Sequence, residues 1–245
     1  MIRIDLIGPS GVGKSYLYNI LKKSRSNFLK EWLTIKEAKR IIALKNTHLL
    51  IKYLSFNKII DIKTIESFSG CYEEWNDFFS IYQKGLNNFE IGDSQFYNSL
   101  SKVLITTKII RLLDENINKK VLFDHSLSQK IFFCTPHNSS DLNGNSMAKK
   151  YFNSMPAPQG LIALSAKPKT IMERVNQRYL KTNTHKSEHK TLSKIDLKKF
   201  VIQSLSWVEI AVESMERKKI PVLEIKSDNI NETTILRVNQ FIKEL

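Results

Sequence analysis

The segment Gly8-Pro9-Ser10-Gly11-Val12-Gly13-Lys14-Ser15 constrains this chain more than any other. The chain holds eight glycines, and three of them fall in this window. The spacing G-x-x-x-x-G-K-[ST] is that of a loop that wraps its backbone around phosphate oxygens. Such a loop needs a strand before it and a helix after it. Its glycines turn the N–H groups inward, and the new helix presents its positive end to the same oxygens. Both flanks agree. Ile2-Arg3-Ile4-Asp5-Leu6-Ile7 reads as a short strand, and Leu17, Ile20 and Leu21 follow at helical spacing. The motif assigns Gly8, Ser10, Gly11, Val12, Gly13, Lys14, Ser15 and Tyr16 to nucleotide binding. Lys14 is set to reach the β- and γ-phosphates, and Ser15 to hold Mg²⁺. A Gly-rich turn before an ordinary helix would not require this pairing of flanks.

Strands and helices alternate downstream. Residues Asn27 to Ile35 read as a second strand, with Glu37-Ala38-Lys39-Arg40 at its carboxyl end. Ligands of parallel sheets gather at such ends, which makes Glu37 and Arg40 candidates for the acceptor side. Glu is also favoured in the first turn of a helix for its own sake. Residues 41–118 read as mostly helical, more than one crossover needs. Phe68, Tyr72, Trp75, Phe79, Tyr82, Leu86 and Phe89 mark one helix face, which suits a core more often than a stacked base. Phe96, Leu100, Val103, Leu104, Ile110 and Leu113 continue with helical spacing.

Lys119 to Asp124 is an apolar strand ending in a carboxylate, the layout in which Asp124 orients Mg²⁺ or its water. His125 follows it and either meets phosphate or substrate or packs beside the loop. Thr135 to Asn145 has loop composition, and the D-x-x-G at Asp141–Gly144 follows no apolar strand. Met155 to Leu164 enters a fourth strand, and Thr170 to Tyr179 forms a helix. Arg174 and Arg178, four apart, share a face of it and would clamp a transferring phosphoryl group unless that face is merely solvated. Lys181 to Lys194 is polar, as a lid would be. His185 and His189 lack a firm third metal ligand nearby. Val201, Leu205, Val208, Val212 and Met215 form a long amphipathic helix. Ile220 to Ile225 is a fifth strand, Ser227-Asp228-Asn229 a loop where the base would rest, and Ile235, Val238, Ile242 and Leu245 a closing helix.

Length and composition bound the rest. A chain of 245 residues fits one large domain or a domain with an insertion. Cys71 and Cys134 offer at most one disulfide and no metal spacing. With the first strand starting at once and no apolar run of membrane length, the expectation is a cytoplasmic chain with free thiols and no membrane partner. The net charge of +14 raises a polyanionic partner, but the lysines are scattered rather than blocked. A nucleic acid is therefore the lesser expectation, and a homodimer is compatible with the sequence without being required by it.

On four stretches the chain resembles the P-loop small-molecule kinases, the thymidylate kinase and deoxynucleoside kinase group. These are Gly8–Ser15, the strand-end Glu37, the Asp124-His125-Ser126 run, and the course from Pro156 through Lys167-Pro168 to Arg174 and Arg178. The resemblance implies a P-loop NTPase fold of the nucleoside and nucleotide kinase kind. That is an α/β domain with a five-stranded parallel sheet and helices on both faces. The whole chain, 1–245, forms it, with a helical substrate-side insertion about 41–118 and a lid about 179–195. It implies Glu37 as the carboxylate that activates the acceptor hydroxyl. Two departures concern the substrate: His125 stands where the family has Arg, and Ala38 follows Glu37 where deoxynucleoside kinases have proline.

The expected activity is ATP-dependent transfer of a γ-phosphate to a hydroxyl or phosphate of a small molecule, a nucleoside or nucleotide first. Lys14, Glu37, Arg174 and Arg178 are the expected catalytic residues. Glu37, Arg40 and His125 face the acceptor, and Ser15 with Asp124 hold Mg²⁺. A 5′-hydroxyl polynucleotide kinase or a sugar kinase would use the same parts. A nucleotide-hydrolysing switch is the rival of another class, but the guanine-reading N-K-x-D pattern is absent.

Overall fold

Side-chain alternation along the strands explains how the chain layers itself. In the computed structural model, which describes residues 1–24, 31–45, 77–81, 93–133, 142–182 and 193–245, five strands pair into one sheet. They are β1 (Ile2–Ile7), β2 (Trp32–Thr34), β3 (Lys120–Phe123), β4 (Gly160–Ser165) and β5 (Val222–Lys226). Their spatial order is β2-β3-β1-β4-β5, and every pairing is parallel. Ile4 lies beside Leu122 on one flank and Gly160 on the other. Successive side chains point to opposite faces. Ile7, Val121, Phe123, Leu161 and Ala163 therefore join one core, and Ile4, Leu6, Leu122, Ile162 and Leu164 join the other. Both faces are covered, which is why β3 and β4 read as near-continuous apolar runs.

The helices are α1 (Lys14–Ser24), α2 (Ile35–Lys45), α3 (Asp93–Asn116), α4 (Leu127–Lys130), α5 (Leu142–Ser154), α6 (Pro168–Thr182), α7 (Lys194–Arg217) and α8 (Glu232–Glu244). Leu17 and Leu21 of α1, Ile171 and Val175 of α6, and Val238 and Ile242 of α8 cover one face. Leu100, Val103 and Leu104 of α3, Tyr151 and Phe152 of α5, and Val208 and Met215 of α7 cover the other. The five-stranded parallel sheet with helices on both faces is the architecture expected from the sequence. After β1 the chain leaves for one face, into α1. After β3 it leaves for the other, into α4. A crevice opens between strand ends whose connections part in this way.

Several boundaries differ from expectation. The second strand is only Trp32–Thr34, and Ile35 already opens α2. The loop expected to reach Asn145 ends earlier, because α5 begins at Leu142. The reason is packing: Gly144 lies buried where an added Cβ would collide with Gln203 and approach Trp207 of α7 at 3.6 Å. The glycine that reads as a loop residue lets two helices come close. Of the aromatic stripe, only Phe79 falls within the described residues, and it packs against the core beside Phe78. The other stripe residues, both cysteines, His185 and His189 lie outside them.

Tyr151 ties the far layer to the crevice. Its buried hydroxyl donates to the carbonyl of Leu127, the first residue of α4, at 2.6 Å. Tyr151→Phe would leave that carbonyl without this donor, at a cost of about 1–3 kcal/mol. Thermal unfolding should show the loss as a drop of a few degrees in Tm; an unchanged Tm would mean the bond contributes nothing.

Candidate phosphate-binding site

The Gly8–Gly13 loop joins β1 to α1, and its shape depends on glycine. Gly11 has φ +85° and Gly13 φ +108°, a region that L side chains rarely enter. A Cβ on Gly11 would also stand 2.7 Å from Cγ2 of Val175, since α6 passes directly against the loop. Three of the loop's carbonyls, those of Gly8, Pro9 and Val12, are taken by donors of the protein. Gly8 O accepts from Lys14 Nζ, and also from Gln129 Nε2 at 3.1 Å. Pro9 O accepts from Lys14 Nζ at 3.0 Å and from the Val12 N–H at 3.3 Å. Val12 O accepts from Arg174 Nη1 at 3.1 Å and from the Ser227 hydroxyl. An anion beside this loop is therefore not opposed by these acceptors.

A cleft of about 770 Å³ lies over the loop. Of the expected site residues, Ser10, Gly11, Gly13, Lys14, Ser15, Tyr16, His125, Arg174 and Arg178 line it. Gly8 and Val12 are buried beneath it. Glu37, Arg40 and Asp124 are not among its described lining residues. Phe132, Phe200 and Ile230 add apolar wall, and Ser227, Asp228 and Asn229 also line it. Asp124 sits at the end of β3 with its side chain 27% exposed, 3.9 Å from His125 Nε2.

The electrostatics favour an incoming anion. Burial, helped by the Arg178 charge and opposed by Asp124, lowers the pKa of Lys14 to about 7. Burial likewise lowers His125, helped by Lys130 and Lys14 and opposed by Asp124. Lys130, buried on α4, is lowered to about 8 by burial and by Lys102, again against Asp124. Positive groups thus crowd around Asp124 at the ends of β1 and β3. Asp124 and the Ser15 hydroxyl are oxygen donors of the kind a hard divalent cation takes. No cluster of three His, Cys, Asp or Glu suited to a metal occurs among the described residues.

The two arginines differ. Arg174 bridges backbone carbonyls: Nη1 to Val12 and Nη2 to Ser227 at 2.9 Å, which joins the loop to the end of β5. Arg178 is exposed and meets Ser10 Oγ at 3.5 Å. Asp228 accepts from the Lys167 N–H at 3.2 Å and the Thr170 hydroxyl at 2.9 Å, so it caps the start of α6. Burial works against its charge, but those hydrogen bonds and the charges of Lys167 and Arg174 hold its pKa below the usual range.

Glu37 has a local role that the sequence displays. Thr34-Ile35-Lys36-Glu37 is a capping box. Glu37 Oε2 accepts from the Thr34 N–H and hydroxyl, both at 2.9 Å, and the Glu37 N–H donates to Thr34 Oγ1 at 3.2 Å. Gln129 and the Ser227 hydroxyl are loop contacts that no motif announces. They come from distant segments, and only the fold brings them to the loop.

Lys14 yields a pH signature. With a free-state pKa of about 7, it is largely neutral at a pH of about 8.5, whereas a lysine against phosphate is charged. Triphosphate binding there should take up close to one proton, and affinity should fall as pH rises above the free-state value. Calorimetry in two buffers of different ionisation enthalpy measures this; binding without proton uptake would contradict it.

No family model matches the chain, and no curated protein matches it. Among solved structures it is similar to deoxyadenosine kinase from M. mycoides with bound dCTP, at 14% identity and TM-score 0.47, with both chains covered in full. The same enzyme with its products dCMP and a flexible dCDP gives 16% identity and TM-score 0.47, again over both full chains. At that identity and score the likeness assigns neither substrate nor reaction to this chain.

Proposed function

We propose that this chain is an ATP-dependent phosphotransferase that passes a γ-phosphate to a hydroxyl of a small molecule, a nucleoside or nucleotide. The observation that carries the reading is one cleft in which a left-handed glycine loop, Lys14 and Arg178 stand together, with Asp124 acting on Lys14 from the end of β3. Phosphoryl transfer asks little covalent chemistry of a protein and much positioning of charge.

In this reading Lys14 and the loop N–H groups hold the donor phosphates. Ser15 and Asp124 would hold Mg²⁺, which neutralises phosphate charge when bound. Arg178 offsets the charge spread over the transferring group. Arg174 acts at one remove, keeping Val12 and Ser227 in register. Tyr16, exposed at the cleft, and the Ser227–Asn229 loop flank the donor. Glu37 orients or deprotonates the acceptor hydroxyl, Arg40 holds the acceptor, and His125 contacts the substrate. A carboxylate has acceptor sites to spare, so capping α2 through Oε2 does not by itself remove Glu37 from chemistry.

A labelled γ-phosphate transfer screen over nucleosides, nucleoside monophosphates, sugars and 5′-hydroxyl oligonucleotides tests the proposal. Label is expected on a nucleoside or nucleotide, and none with Lys14→Ala, whose fold should persist. Label released only as free phosphate would overturn the transferase reading. Glu37→Gln keeps an oxygen for the Thr34 bonds, so Tm should change little, while turnover falls about 10²-fold if the carboxylate is the base. Full turnover in that variant would reduce Glu37 to a helix cap.

A further inference from the structure

Gln129 is 7% exposed, lines the cleft on α4, and carries two opposed amide atoms. Nε2 donates to Gly8 O at 3.1 Å, while the buried Oε1 meets no donor among the described residues. The amide's orientation follows from the first contact, since a flipped amide would set oxygen against oxygen. A buried acceptor without a donor is a cost to the fold, and an apolar side chain of similar size would avoid it. Stability alone does not account for a glutamine here. The contact with Gly8 does.

That carbonyl is shared. In the ligand-free chain Gly8 O also accepts from Lys14 Nζ. A phosphate in the cleft draws the Lys14 ammonium to its own oxygens, and Gly8 O then loses one of its two donors. We propose that Gln129 is a positioning residue for the donor: it keeps the Gly8 carbonyl satisfied and fixed while Lys14 turns to the phosphates. This rests on the phosphate-site reading above and goes beyond it, because no motif residue performs the task. Gln129 also stands next to Ser128, whose hydroxyl donates to the fully buried Asp5 of β1 at 2.5 Å. The anchor therefore belongs to α4 and β1, the two elements that flank the crevice.

The consequence is specific to the bound state. Without the glutamine, the ligand-free loop still has Lys14 on Gly8, whereas the bound loop leaves Gly8 O bare. Gln129→Met should therefore weaken ATP binding by about tenfold or more. The Tm of the ligand-free chain should be unchanged or raised, because the donorless Oε1 is gone too. In turnover, KM for ATP should rise with KM for the acceptor unmoved. Calorimetry with ATP, thermal unfolding without it, and the two KM values read this out; Gln129→Leu serves if the first variant does not fold. ATP affinity equal to that of the unaltered chain would overturn the proposal, as would a fall in ligand-free stability with acceptor KM rising in parallel. Failure of the unaltered chain to bind ATP would instead overturn the phosphate-site reading, and this proposal with it.

Discussion

The structure depends on where the loop after β1 sends its carbonyls. A backbone that curls around an anion brings acceptors as well as donors, and an acceptor turned inward would repel the ligand. In this chain Lys14 and Gln129 take Gly8 O, Lys14 takes Pro9 O, and Arg174 with Ser227 takes Val12 O. These side chains come from α1, α4, α6 and the loop after β5. The loop is therefore held from several sides at once, and its left-handed glycines are supported by tertiary contacts rather than by local preference.

The sheet makes this convergence possible. Parallel strands put every carboxyl end at one edge, so the loop after β1, Asp124 after β3, the start of α6 after β4 and Ser227 after β5 all reach the same edge. Two buried cores hold the strands in register, one on each face. The polar interruptions serve the same end. Arg3 and Asp5 alternate with Ile4 on β1 and pair at 3.3 Å, and Asp5 receives Ser128 of α4. The central strand is thus tied to the helix that carries Gln129.

Much of this was legible before any coordinates. The glycine spacing and the Ile-rich flank announced a left-handed glycine loop between a strand and a helix, and the alternation of strands with helices announced a buried parallel sheet. Asp124 stands directly after β3, where the sequence put a carboxylate at the end of an apolar strand. What escaped the sequence depends on distance in the chain. Gln129 and Ser227 touch the loop from more than a hundred residues away, and nothing near them in the chain signals it. Arg174 looked like a clamp for phosphate, but its guanidinium binds backbone carbonyls, and only the fold could tell one partner from the other. Gly144 read as loop because glycine favours turns, yet close helix packing uses the same missing Cβ. Thr34–Glu37 has the spacing of a capping box, a role for the carboxylate that the first-turn reading of Glu37 did not specify.

The central claim is that the carbonyls of Gly8, Pro9 and Val12 are held aside so that the loop's amides receive phosphate. Backbone hydrogen exchange with and without inorganic tripolyphosphate, which has no base or sugar to bind elsewhere, tests it most directly. The account predicts that the amides of Gly11, Gly13, Lys14 and Ser15 slow markedly on addition, and that those of α5, none of whose residues lines the cleft, do not. Unchanged exchange across residues 10–15 at saturating tripolyphosphate would contradict it.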